Sequence, residues 1–352
     1  MTHGLIDPRE PLISDEKAIA VATLVSATGS TSKKVGTKMI VGESGRLLGG
    51  VTIGGCVDAQ VVEAADALLG QGGRCMLSIS LDDDEAWEIG LTCGGTVDVL
   101  IDRVDVRDND DPIRAAHAIA RETLARDEAA VIATPLDGRA AAFVVTENGM
   151  RYGTLGDALL NERAAAVATD VLTSTSRIEE IQHAGTPRKF FFDRQAPATK
   201  IVIIGAGQIA MSLTTMAREL DIRTIVVDGR DRYATRERFP AADEIRVGMP
   251  SEIVASIAPT KRTAVVLIAH DYKYELPVLR ALLRSKVGYI GMLGSKKRGV
   301  AVRALLRDEG FSDEELDRIH TPIGLDIGGK SPPEVALSIL AELVAVRSGK
   351  RA

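Results

Sequence analysis

The sequence predicts an α/β protein in two parts: a C-terminal Rossmann-like, doubly wound parallel sheet, preceded by an N-terminal mixed α/β domain. Three observations predict it. An apolar strand, a glycine turn and a helix follow one another without a break in KIVIIGAGQIAMSLTTMAREL, Lys200 to Leu220. From there on, apolar runs and helical stretches alternate, as a succession of βαβ units requires. Before Lys200 the strand-like runs are more numerous and less regular, and glycine-rich loops separate several of them.

In chain order, the first half offers strand-like runs at Ala18–Ser26, Lys38–Val41, Met76–Leu81, Thr96–Ile101, Ala130–Thr134 and Ala141–Val145. Helical runs lie at Val57–Leu69, Ile113–Arg126 and Ala158–Ser174, with turn signals such as Gly42–Gly45 and Asn148-Gly149 between elements. No internal repeat is visible. The segment QAPAT, Gln195–Thr199, reads as a linker, so the domains are expected at 1–195 and 199–352.

In the second half, Ile201–Ile204 has the length and β-branched content of a buried parallel strand. Gly205-Ala206-Gly207 makes the turn and Gln208–Leu220 the helix. The next strand, Thr224–Val227, ends at Asp228, 23 positions beyond Gly205. This is the dinucleotide fingerprint in its required context, with Ala210 at the third glycine position. Gly205 allows the turn, Gly207 lets backbone approach a pyrophosphate, and the helix N-terminus offers free N–H groups. Asp228 is expected to accept hydrogen bonds from a ribose diol. Then come Glu244–Val247 (strand), Pro250–Ile257 (helix), Thr263–Ala269 (strand), Tyr274–Ser285 (helix), Val287–Met292 (strand) and a helix from Ser295 to Glu309. The last helix, Pro332–Val346, is announced by a capping box, Ser331 with Glu334, and by Pro332 at its first position.

Ligands of open α/β sheets bind beyond the carboxyl ends of the strands. Those positions carry Asp228-Gly229-Arg230, His270 and Gly294-Ser295, the last opening a helix with Lys296, Lys297 and Arg298. Arg230 suits a ribose 2′-phosphate, and His270 suits either hydrogen bonding to phosphate or acid–base work. The segment PIGLDIGGKSPP, Pro322–Pro333, is a long loop with one carboxylate, Asp326.

Three loops of the first half hold further chemistry. GGVTIGGC, Gly49–Cys56, includes Gly54 and Gly55 and sets Cys56 at a helix N-terminus, where the dipole favours a thiolate. GLTCGG, Gly90–Gly95, carries Cys93 with Gly94 and Gly95, and ATGSTSKKVGTK, Ala27–Lys38, combines hydroxyls, lysines and glycines suited to an anion. Cys56 and Cys93 lack zinc-finger spacing, so no metal site is expected. Cys75, in the alternating run CMLSISL, reads as a buried small hydrophobe.

Composition narrows the function classes. The chain has 352 residues, 45% hydrophobic and 26% charged, with a net charge of −6, which disfavours nonspecific binding to nucleic acid or anionic membrane. No apolar run is long enough for a membrane helix, and the start, MTHGLIDPREPLISDEK, lacks a signal-peptide pattern. Three cysteines do not make a disulfide framework, and the expected location is the cytoplasm.

With these segments in view, the chain resembles the XdhC/CoxI family of accessory proteins for molybdenum hydroxylases such as xanthine dehydrogenase. The resemblance lies in ATGSTSKKVGTKM, GGVTIGGCVDAQV, GLTCGGTVDVLID, IVIIGAGQIA, VVDGR, IAHDY, YIGMLGSKKR and TPIGLDIGGKSPPEVALSILAELVA. Two places depart from the family pattern, Gln208 after GAG and VDGR in place of a more acidic run. The resemblance implies a cytoplasmic chaperone that binds molybdenum cofactor as cargo, supports its sulfuration and delivers it to an apo-hydroxylase, a maturation factor rather than a turnover enzyme. Carried over, Cys93 and Cys56 become the residues for contact with the cofactor or sulfur transfer, and Gly205, Gly207 and Asp228 a site for NAD(P) or another nucleotide. A sulfurtransferase or cysteine desulfurase partner and a homodimer are also implied. Two other readings of the residues stand beside it: an NAD(P)-dependent oxidoreductase with His270 as its acid–base group, and a scaffolding subunit regulated by nucleotide.

Overall fold

The computed structural model describes residues 5–28, 34–52, 55–81 and 95–348. It divides into two compact units, Met1–Pro197 and Ala198–Ala352.

The first unit opens with a helical turn, α1 (Pro11–Ser14). Then follow β1 (Ala18–Ala27), β2 (Lys38–Val41), β3 (Leu47–Gly50), α2 (Gly55–Gln71), β4 (Arg74–Leu81) and β5 (Gly95–Asp105). These strands form one antiparallel sheet in the order β3-β2-β1-β5-β4. After α3 (Pro112–Ala125), capped by Asp111, come β6 (Ala130–Pro135), β7 (Ala142–Thr146), β8 (Arg151–Thr154), α4 (Ala158–Val171), β9 (Arg177–His183) and β10 (Thr186–Gln195). They form a second antiparallel sheet, β8-β7-β6-β10-β9.

The two sheets are one module built twice. Each runs three strands, a helix, two strands, and each orders them third-second-first-fifth-fourth. The registers agree residue by residue: the row Gly50, Met39, Ala22, Ile101 corresponds to Gly153, Phe143, Ala133, Phe192. Gly50 and Gly153 even share their reason for being glycine. Both have positive φ (+80° and +75°), and a Cβ on either would lie 2.3 Å from a carbonyl oxygen of the neighbouring strand, Lys38 or Ala142. In the adjoining row both modules bury an aspartate, Asp102 opposite Val21 and Asp193 opposite Ile132. The sequence-based expectation of no repeat is corrected here: the duplication survives in the topology while most of the side chains have changed.

Each module covers the outer face of its sheet with its own helix. Val57, Val61, Ala65 and Leu68 of α2 pack on Ala20, Val99 and Ile101, and Leu160, Ala164 and Ala168 of α4 on Val131, Phe190 and Phe192. The inner faces meet each other, with Val25 and Leu100 of one sheet against Phe191 of the other, and Ile19, Val21 and Val104 in one cluster with Ile132 and Val144. Polar pins cross this interface. Lys38 pairs with Asp193, both buried, and Gln195 Nε2 donates to the same carboxylate at 2.8 Å. Arg74 pairs with Asp102 and donates from Nη1 to the carbonyls of Pro135 (2.7 Å) and Arg139 (2.6 Å). Cys75 on β4 is half-buried against the α2 cluster rather than sealed in it, and burial pushes its thiol pKa up.

The second unit is the expected doubly wound sheet. In order it contains β11 (Lys200–Ile204), α5 (Gln208–Glu219), β12 (Arg223–Asp228), β13 (Glu244–Val247), α6 (Pro250–Ile257), β14 (Thr263–Leu267) and α7 (Tyr272–Leu283). They are followed by β15 (Tyr289–Met292), α8 (Lys296–Asp308), α9 (Asp313–Leu316), β16 (Ile319–His320) and α10 (Pro332–Arg347). All six strands are parallel, in the order β13-β12-β11-β14-β15-β16, the strand order of a dinucleotide-binding sheet. Alternate residues of β11 point to opposite faces. Ile201 and Ile203 pack under α5 and α10, Val202 and Ile204 under α6, α7 and α8. At the start of α10 the Glu334 carboxylate accepts the Ser331 N–H at 2.9 Å, the expected capping interaction. Among the described residues no helix is long and apolar enough to cross a membrane.

Candidate functional site

Because the second sheet is parallel, Gly205, Gly229, His270 and Gly294 all follow strand ends on the same edge. Gly205 is required by the fold. Its φ is +114°, and a Cβ would fall 2.8 Å from Ala269 backbone. Gly207 is different: its φ is ordinary and a Cβ there would meet nothing within 4 Å. Neither a neighbouring atom nor the backbone angle demands glycine at the start of α5, whereas an incoming pyrophosphate would.

Beside this turn lies a cavity of about 120 Å³, lined among others by Gly205, Asp228, Gly229, Arg230, Ala269 and Tyr274. Asp228 sits at its wall, 3% exposed. Its carboxylate accepts the N–H of Ala206 (2.8 Å), the N–H of Arg230 (3.0 Å), and Arg230 Nε (2.9 Å) and Nη2 (2.8 Å). Burial raises the pKa of Asp228, but these hydrogen bonds outweigh it and hold the group below the usual carboxylate value. A carboxylate offers about four acceptor positions, and here all are taken by the protein. The sequence-based role for Asp228, accepting from a ribose diol, therefore requires Arg230 to leave. Arg230 lies over the ring of Tyr233, 4.1 Å from its centroid.

His270 has a left-handed backbone, φ 55°, and its N–H donates to Glu275 Oε1 at 3.0 Å. Its Nδ1 lies 2.9 Å from Arg298 Nη1. A guanidinium can only donate, so Nδ1 accepts and the neutral ring carries its proton on Nε2. Burial and then the charge of Arg298 lower the pKa of His270. Arg298 is held in turn by the fully buried Glu275 and lies over Tyr272, 4.7 Å from the ring centroid. Burial raises the pKa of Glu275, and Arg298 offsets this only in part. The arrangement presents an Nε2–H donor, not a base. Glu275 and Tyr272 were missed in the sequence. The available signal was a carboxylate on the apolar face of α7, four positions after the capping Asp271.

Ser295 is spent as the N-cap of α8, accepting the Arg298 N–H at 3.2 Å. Gly294 lies against Arg298, with a Cβ there falling 2.9 Å from its Cδ. Asp326 accepts the Gly328 N–H of its own loop at 3.3 Å, so its described hydrogen bond ties it to that loop rather than to the cavity.

In the first unit, Gly54, Cys93 and Gly94 lie outside the described residues. Gly55 and Cys56 form the first turn of α2, and Gly95 opens β5 opposite Leu81. The flanking strands nevertheless fix where the three glycine-rich loops emerge. Ala27 pairs near the start of β5, Met39 pairs with Gly50, and Leu81 pairs with Gly95. So the connections 28–37, 51–54 and 82–94 all leave the same end of the first sheet. Thr28, which opens the first of them, is tied to the start of β5: its N–H reaches Thr96 O (2.8 Å) and its hydroxyl accepts the Thr96 N–H (3.0 Å). The corresponding connections of the second module are shorter: 136–141, 155–157 and 184–185. Among the described residues no group of three or more His, Cys, Asp or Glu could hold a metal ion.

Comparison with known proteins finds matches in both units. A family model described as the XdhC Rossmann domain matches residues 201–343, and one described as the XdhC and CoxI family matches residues 12–80. The chain is 26% identical over 347 residues to a Bacillus subtilis protein named as a probable subunit of xanthine dehydrogenase, covering 98% of this chain and 97% of that one. It is 26% identical over 339 residues to the molybdenum cofactor insertion chaperone PaoD of Escherichia coli, covering 96% and 86%. A crystal structure from Bacillus halodurans, described as a xanthine dehydrogenase, matches with a TM-score of 0.78 at 25% identity, over 97% of this chain and 95% of that one. One match falls in each unit and both come from one family: the chain belongs to the XdhC and CoxI family.

Proposed function

We propose that this chain is a cytoplasmic maturation factor. It binds molybdenum cofactor as cargo in its first unit, supports sulfuration of that cofactor with the help of a sulfurtransferase, and delivers it, as a homodimer, to a molybdenum hydroxylase. The observation that carries the reading is the asymmetry between the two modules of the first unit. The connections 28–37, 51–54 and 82–94 issue from one end of one sheet, and each spans more residues than its counterpart in the sister module. If the fold alone needed those loops, the sister sheet would need them too. Their sequences bring lysine and hydroxyl groups for a phosphate, glycines for close backbone approach, and Cys93, with Cys56 just past 51–54 in the first turn of α2, for a soft metal or a persulfide. The name of the PaoD relative supports the same reading. The second unit, in this proposal, holds a nucleotide at the open start of α5, beside the cavity lined by Gly205 and Asp228.

Binding of purified molybdenum cofactor, read by co-elution and by the fluorescence of the oxidised pterin, tests the cargo role. Activation of a cognate apo-hydroxylase tests delivery. Cys93→Ala is expected to leave the unfolding midpoint unchanged and to abolish activation. Full activation by that variant and by Cys56→Ala would remove the thiols from the mechanism.

A further inference from the structure

We propose that the cavity of the second unit reads a phosphorylated ribose, an adenosine bearing a 2′-phosphate, through Arg230 and Arg238, and not a free ribose diol through Asp228. The inference rests on the reading that this unit holds a nucleotide, and specifies which kind.

Asp228 already accepts four N–H groups, two of them from the Arg230 side chain. A diol brought to Asp228 would find its acceptor positions already taken, a cost that selects against pairing there. The lining holds Arg230 together with Asp228 and Asp271, and a second cation, Arg238, stands next to Arg230 outside that lining. Arg230 and Arg238 both lie over Tyr233, with guanidinium carbons 4.1 and 5.4 Å from the ring centroid, and Tyr233 is 46% exposed. Arg230 is anchored through Nε and Nη2, so its remaining edge is turned from Asp228, and half of the side chain is exposed. Arg238 donates from Nη1 to the Tyr233 carbonyl at 2.6 Å, and its Nη2 lies 3.8 Å from Met211 Sδ, in the first turn of α5. It is therefore fixed between the ribose position and the end of the helix that would take the pyrophosphate. Among the described residues Arg238 meets no carboxylate. The neighbouring Asp231 accepts the Arg232 N–H at 2.7 Å. With Asp228 paired to Arg230, Arg238 presents, among the described residues, a guanidinium that no carboxylate pairs, beside a flat exposed ring. A planar guanidinium fork suits a phosphate, and an exposed aromatic flanked by arginines suits a purine.

Titration calorimetry on the full chain, with adenosine 2′,5′-bisphosphate and 5′-AMP as probes, tests this directly. The bisphosphate is expected to bind about tenfold tighter or more, the scale of one good charge-assisted hydrogen bond, with a preference that shrinks as salt rises. Arg238→Gln should narrow the ratio several-fold. Arg230→Ala frees two acceptor positions on Asp228 and should invert the preference toward 5′-AMP, which a merely structural arginine would not do. Circular dichroism monitors its fold, and Arg238→Gln carries the test if it unfolds. Equal affinity for both probes in the unaltered protein overturns this inference and leaves the nucleotide reading standing. Binding of neither probe overturns both, and a preference that survives the substitutions shows that the arginines are not its source.

Discussion

At the scale of single residues, the buried imidazole of His117 sets an acid limit on stability. It accepts the Ile6 N–H on Nδ1 at 3.0 Å, is 5% exposed, and its pKa is lowered to about 3, by burial first and then by the charges of Lys38 and Arg121. Above pH 6.5, its ordinary value, folded and unfolded chains both carry it neutral and it contributes nothing to the slope. As pH falls from there toward 3, the unfolded chain takes a proton that the folded chain refuses, so stability drops by about 1.4 kcal/mol per pH unit. His117→Asn keeps an acceptor without a titration and should flatten urea midpoints between pH 6.5 and pH 4. A slope as steep as in the unaltered chain would assign the acid sensitivity elsewhere. The two glycines of the fingerprint separate fold from function in the same way. Gly205→Ala forces a Cβ onto Ala269 backbone at φ +114° and should cost about 2–5 kcal/mol. Gly207→Ala, facing open space, should cost about 1 kcal/mol or less as a poorer N-cap, yet weaken nucleotide binding. Equal loss of stability in the two would contradict the geometry.

At the scale of elements, the pin from β2 to β10 and the turn from β9 to β10 make opposite predictions. Lys38→Met leaves Asp193 buried with Gln195 and Ser176 but no cation, and should cost about 3–5 kcal/mol. The double variant Lys38→Met, Asp193→Leu should recover much of that loss, and failure to recover any would mean that the pair is not the main contact. In the turn, Ala184 and Gly185 both have positive φ, 50° and 78°, as a two-residue hairpin of this twist requires. Alanine is a poor choice there, and Ala184→Asn should raise stability by up to about 1 kcal/mol in denaturant melts. These strands, like the short β3, β8 and β16, are among those the sequence hid. In β9, RIEEIQH, only Ile181 is buried, and β10 runs from exposed Thr186 and Pro187 into Phe190–Phe192 without alternation. An edge strand bathed in solvent and a run buried on both sides each lack the period of two on which a strand is recognised. Strands β11, β12 and β14, buried on both faces by helices, read as plain apolar runs bounded by turns, and were legible for that reason.

At the scale of the whole molecule, the second unit was legible because its signal is local: a glycine turn, an acid at a fixed distance, a capped helix. The duplication in the first unit was not, because it lives in the pairing of strands far apart in sequence. What the two modules kept in common, such as Gly50 with Gly153 or Asp102 with Asp193, is too sparse to align without the sheets. The site residues divided along the same line. The backbone role of Gly205 was legible, but the filled carboxylate of Asp228 depends on how Arg230 folds back, which spacing does not encode. The paired construction has one more consequence. Each half presents to its twin a seam that any other copy of that twin would fit equally well, with Lys38 meeting Asp193 and Arg74 meeting the carbonyls of Pro135 and Arg139 whichever polypeptide supplies them. Crowded, newly made chains are thus exposed to mutual entanglement, one copy's first half closing on another copy's second, a hazard that grows with concentration and that dilution during renaturation should relieve.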